Sequence, residues 1–63
     1  MEDIEKERFY RPDELAKRYD VSNRTITRLI QKQKIPALKI GRQIRIKGIN
    51  VIAFEEKHTQ NPR

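Results

Sequence analysis

The only serine of the chain, Ser22, stands directly before Asn23-Arg24-Thr25-Ile26-Thr27-Arg28-Leu29-Ile30. A serine there is a strong N-cap, because its hydroxyl accepts from a first-turn N–H that has no partner inside the helix. With Ser22 as the cap, Val21 falls at N′ and Ile26 at N4, the two positions of a hydrophobic staple. Ile26, Leu29 and Ile30 recur at helical spacing and mark the buried side. This helix is predicted over 23–33, and Pro36 keeps it from running much further. Upstream, Pro12, Asp13 and Glu14 suit a first helical turn, where proline is tolerated and acids complement the helix dipole. Leu15, Ala16 and Tyr19 share one face, so a preceding helix is predicted over 12–19, closed by Asp20.

Three or four residues between two such helices is the spacing of a helix-turn-helix. Two short segments follow, Leu38-Lys39-Ile40 and Ile44-Arg45-Ile46, each alternating apolar and polar. That pattern predicts two strands of a hairpin. A two-residue turn at 41–42 would pair Ile40 with Gln43 and Lys39 with Ile44, mixing the faces. A three-residue loop over 41–43 pairs Ile40 with Ile44, Leu38 with Ile46 and Lys39 with Arg45. It gathers every apolar side chain on one face, and register follows the buried face, so the three-residue loop is expected. Against it stands the glycine, first in the loop where the usual three-residue turn wants it last. In either register Arg42 points outward at the tip.

Gly48 ends the second strand, and a third helix is predicted over 49–58. Val51 and Phe54 lie on one face of it, with Ile49, Ile52 and Ala53 roughly opposite. Neither Lys47 nor Gly48 makes a good cap. Residues 1–8 and 59–63 lack periodicity and are expected to be mobile tails around a domain at 9–58. The expected fold is mainly α with a small β-hairpin: three helices plus a two-stranded wing, to which a short N-terminal strand could add.

Charge narrows the partner. The net charge is +6, from 15 Lys and Arg against 9 Asp and Glu. Residues 21–54 hold eight bases (Arg24, Arg28, Lys32, Lys34, Lys39, Arg42, Arg45 and Lys47) and no acid. A solvated surface usually mixes both signs, so an acid-free block of this length points to a polyanion, nucleic acid being the commonest. At 63 residues, a chain buries only about 60% of its unfolded surface, too little for a deep cleft with its own supporting core. Without cysteine, neither a disulfide nor a thiolate metal site can form. The one histidine, His58, falls near the predicted frayed end. Neither a placed carboxylate pair nor a glycine-rich loop is present, so no catalytic residue, metal or cofactor is expected. The longest apolar run, Val51-Ile52-Ala53-Phe54, is far short of a membrane span, and the acidic start is unlike a signal peptide. A cytoplasmic location is expected.

Three groups of residues carry functional readings. On the second helix, Asn23, Arg24, Thr27, Arg28 and Gln31 offer the groups that read base edges in the major groove, and Ser22 with the helix N-terminus suits a phosphate. The competing reading is an ordinary solvated helix face. Lys32, Lys34, Lys39, Arg42 and Arg45 suit phosphate and wing contacts, or else guard an edge strand against aggregation. Ile49 and Ile52 form a candidate protein contact, unless Ile4 or Phe9 covers them.

The order of parts resembles the MerR-like winged helix-turn-helix, and more closely the small excisionase-type DNA-binding proteins of phages and mobile elements. Carrying the resemblance are Pro12-Asp13-Glu14-Leu15-Ala16, Val21-Ser22-Asn23-Arg24-Thr25-Ile26, Leu29-Ile30, Ile35-Pro36-Ala37-Leu38-Lys39-Ile40-Gly41-Arg42 and Ile44-Arg45-Ile46. The resemblance implies DNA contacts for Ser22, Arg24, Thr27, Arg28, Arg42 and Arg45, and core positions for Val51 and Phe54. Two departures are Arg11, where the family tends to cap the first helix with Ser or Thr, and the uncapped Lys47-Gly48. Beyond residue 58 there is no room for the dimerisation helix and effector domain of full-length MerR regulators, so ligand sensing is not expected. The expected role is an excisionase, or recombination directionality factor. It would bind and bend attachment-site double-stranded DNA, beside an integrase and neighbouring copies of itself. A minimal transcription regulator is the alternative, and a protein-interaction adaptor is less favoured. RNA binding is disfavoured, since too few aromatics are left over from the core to form a stacking platform.

Overall fold

The computed structural model describes residues 3–59. In chain order they form β1 (Phe9–Tyr10), α1 (Pro12–Tyr19), α2 (Asn23–Gln31), β2 (Leu38–Ile40), β3 (Gln43–Lys47) and α3 (Gly48–His58). The three helices and a three-stranded antiparallel sheet of order β1-β3-β2 make a winged helix-turn-helix. Residues 60–63 of the expected C-terminal tail, and Met1 and Glu2 of the N-terminal one, lie outside the described residues.

Local chemistry explains the first two helices. Pro12 opens α1, and the Glu14 carboxylate accepts from the Arg11 N–H at 2.8 Å. A guanidinium has no acceptor, so this is the glutamate half of a capping box, without the reciprocal bond. Asp20 closes α1 in the left-handed region at φ 57°. The Val21 N–H then donates to the Ala16 carbonyl at 2.9 Å and the Asp20 N–H to Lys17 at 3.3 Å, a Schellman motif. Ser22 caps α2 as expected, its Oγ accepting from the Thr25 N–H at 3.2 Å. The helix ends at Gln31, two residues before its predicted end. Gln33 takes φ 60°, and the N–H groups of Gln33 and Lys34 return to the Ile30 and Leu29 carbonyls at 2.9 and 2.8 Å. A second Schellman motif, built on glutamine, thus stops the helix before Pro36 is reached.

The hairpin takes the register that sequence patterning disfavoured. Leu38 pairs with Arg45, Lys39 with Ile44 and Ile40 with Gln43, around a two-residue turn at Gly41-Arg42. Gly41 has φ 61° and Arg42 does not share the positive sign, which suits a type II′ turn with glycine first. The expectation failed because it required both strands to bury one face. Only β3 does so: Ile46 is fully buried beside Tyr10 of β1, whereas Leu38 and Ile40 are 49% and 58% exposed. Residues directly opposite each other share a face. Lys39 therefore lies on the side of Ile44 and Ile46, and Leu38 and Ile40 lie on the side of Gln43 and Arg45.

The core joins Tyr10, Leu15, Ala16, Ile26, Ile35, Ile46 and Val51, with Ile4, Leu29, Ile30 and Phe54 packed against it. Val51 and Phe54 thus face inward as expected. Ile4 comes from the segment expected to be a tail. That segment also supplies the missing cap of α3: the Gly48 N–H donates to the Arg8 carbonyl at 2.8 Å and the Ile49 N–H to Lys6 at 3.1 Å. The Tyr10 hydroxyl accepts from the Glu5 N–H at 2.9 Å and holds the segment from its other side. Gly48 is required by the closeness of this approach, because a Cβ there would overlap the Glu5 carbonyl oxygen and stand 3.2 Å from Ile4 Cγ2. Ile49 stays 43% exposed and Ile52 is half-buried.

One polar cluster ties α1 to α3. Arg18 Nε donates to Glu55 Oε2 at 2.7 Å, an Arg18 terminal nitrogen to Oε1 at 3.2 Å, and the Tyr19 hydroxyl to Oε2 at 2.7 Å. The fork of two bonds holds the Glu55 carboxyl below the usual carboxylate range, and raises Arg18. Burial, then the bond to Glu55, pushes the Tyr19 hydroxyl well above its ordinary value.

Candidate nucleic-acid interface

The packing of α2 decides which of its side chains face solvent. Ile26 is fully buried. At 100° per residue, Arg24, Arg28 and Gln31 then lie on the far side of the helix, with Asn23 and Thr27 flanking them. All are exposed except Thr27, which is half-buried. Lys32 and Lys34 extend the exposed stripe past the helix C-terminus. Among the described residues, the side chains of Asn23, Arg24, Arg28 and Gln31 make no hydrogen bond or ion pair.

The hydroxyls are differently placed. Ser22 Oγ is engaged in the cap and shares a further bond with Thr25 Oγ1 at 3.1 Å, so its first role is structural. Thr27 Oγ1 donates back to the Asn23 carbonyl at 2.9 Å.

The wing carries Arg42 exposed at its turn, as expected, but the register separates its other cations. Lys39 and Arg45, expected side by side, occupy opposite faces of the hairpin. Arg45 is half-buried and donates to the Ile44 carbonyl at 2.9 Å. Lys47 pairs with Glu7 at 3.4 Å and stands 5.9 Å from the Phe9 ring centroid. The basic surface is thus the α2 stripe and the wing tip, and not a continuous ribbon along the hairpin.

A helix-turn-helix domain model matches residues 9–59. The chain belongs to the helix-turn-helix domain family. No curated protein and no solved structure gives a significant match beside it. Helix-turn-helix domains bind double-stranded DNA sequence-specifically, placing their second helix in the major groove. The second helix of this domain is α2, and residues 21–54 hold no acid.

Two features of the helix-turn-helix domain had no signal in the sequence. The Arg18–Glu55–Tyr19 cluster joins residues 36 and 37 positions apart. On the outward sheet face, the two-residue turn leaves Leu38 and Ile40 exposed, and the pairing of Phe9 with Lys47 adds Phe9. Among the described residues no helix is long and apolar enough to cross a membrane, and no cluster of His, Cys, Asp and Glu could hold a metal ion.

Proposed function

We propose that this domain is an excisionase-type DNA-binding protein whose α2 enters the major groove. Asn23, Arg24, Thr27, Arg28 and Gln31 face base edges, Arg and Asn or Gln being suited to guanine and adenine. Ser22 keeps the helix N-terminus in shape for a phosphate. Lys32, Lys34 and Arg42 grip the backbone on either side, with Lys39 and Arg45 each reaching it from its own face of the wing. The observation that carries the reading is the exposed stripe opposite Ile26, cationic and free of acids, beside a wing with arginine at its tip.

A module this small makes few contacts, so several copies on adjacent sites gain affinity and bend the DNA between them. The excision role rests on the resemblance of Ile35-Pro36-Ala37 leading into Gly41-Arg42. Exposed Ile49 is the side of α3 offered to an integrase or a neighbouring copy.

Fluorescence anisotropy with a labelled random duplex at two salt concentrations tests the DNA reading. About six neutralised phosphates give a log–log salt slope of about −5. The Arg28→Ala/Arg42→Ala protein should lose most of this binding; equal binding by that variant would sink the proposal. An excision assay with an integrase and its attachment-site DNA separates this role from a minimal transcription regulator, which would occupy a promoter and leave excision unchanged.

A further inference from the structure

The hydroxyls at the start of α2 are already committed within the protein. Ser22 and Thr25 are bonded to each other and to the cap, and Thr27 donates its one hydroxyl proton to the Asn23 carbonyl at 2.9 Å. Threonine is stiff about χ1, and bonding the carbonyl four residues back selects a single rotamer in a helix. With its proton bonded to the backbone, the hydroxyl can accept from a ligand but no longer donate to one, and the γ-methyl is the apolar group Thr27 offers. Thr27 is half-buried on the flank of the stripe nearer the core, midway along its length. Asn23 and Gln31 lie one turn away on either side, and Arg24 and Arg28 are adjacent. Every neighbour in the stripe offers hydrogen-bonding groups, so Thr27 is its one apolar point. On base edges in the major groove, the corresponding apolar feature is the C5-methyl of thymine.

We propose that Thr27 is a specificity-determining residue that reads a thymine methyl group, its hydroxyl serving to fix the rotamer rather than to bond a base. The inference rests on α2 being the recognition helix. It assigns thymine to a base pair under one flank of the helix, between those read by Asn23 and Gln31 along its length.

The test begins with enrichment of bound duplexes from a random pool. Each thymine of the enriched site is then replaced singly by deoxyuridine, which removes the methyl and keeps the O4 acceptor. At one thymine, the replacement should weaken wild-type binding by about fourfold, the worth of one methyl group withdrawn from water. Thr27→Val should keep that discrimination. Thr27→Ser, which retains the hydroxyl bond to Asn23, should bind both duplexes alike. The inference is overturned if no thymine responds, if Thr27→Ser still discriminates, or if Thr27→Ser preserves affinity and Thr27→Val loses it. Salt-sensitive binding without an enriched sequence overturns it while leaving backbone binding intact. No binding at low salt removes the DNA reading and this inference together.

Discussion

Replacing Gly48 by alanine tests how the N-terminal segment is joined to the domain. In an ordinary helix, glycine to alanine stabilises by up to about 1 kcal/mol, less in the first turn. Here the added Cβ meets the Glu5 carbonyl oxygen and approaches Ile4. Backbone cannot yield as a flexible side-chain end does, so residues 4–8 must move away from α3. That movement breaks the bonds from the Gly48 and Ile49 N–H groups to Arg8 and Lys6, each worth about 1 kcal/mol. It also re-exposes part of Ile4, roughly another 1 kcal/mol. After the propensity gain, the net loss is about 2 kcal/mol. For a domain of this size that is a fall in Tm of about 10 °C. Thermal circular dichroism measures the fall, and amide exchange locates it: Gly48 and Ile49 should be protected in the wild type and exchange freely in the variant. A variant as stable as the wild type, or one that keeps both amides protected, would refute the reasoning.

Other outcomes follow from single positions. Gln33→Gly should raise stability by about 1 kcal/mol in urea unfolding, because it relieves a left-handed non-glycine residue without touching the core. Ser22→Ala should cost about 1 kcal/mol in the same assay by removing the α2 cap. The Glu55 carboxyl is held low first by its bonds from Arg18. Its contribution is therefore complete above the ordinary glutamate range near about pH 4.3, and is lost as pH falls through the lower folded value. Glu55→Gln should flatten the acid limb of the stability–pH curve; a limb of unchanged steepness would count against the cluster. Tyr19 is raised, chiefly by burial, so its contribution holds through neutral pH and fails only on the alkaline side.

How much was legible follows the reach of each interaction. The Ser22 cap, the span of α1 and the stripe opposite Ile26 rest on bonds and spacings within about one helical turn. Reading residues in order is enough to find them. The end of α2 was missed by two residues because a left-handed glutamine is a rare stop, and nothing in residues 31–34 announces it. The hairpin register depended on how much of β2 would be covered, a property of the whole assembly. Patterning assumed that Leu38 and Ile40 must be buried, and Gly41 in a two-residue turn prevailed because they need not be. That choice placed Lys39 and Arg45 on opposite faces and so reshaped the candidate site.

The capping of α3 shows the same division over a longer distance. The sequence by itself determined that this helix begins near Gly48 without a side-chain cap, and that residues 21–54 carry cations with no acid among them. Only the tertiary structure decided that carbonyls some forty residues earlier supply the cap, and that Arg18 and Tyr19 converge on Glu55. The reason is physical: helix geometry sets the first kind of contact from neighbours along the chain, whereas the second forms only after distant segments have already been packed together by the core.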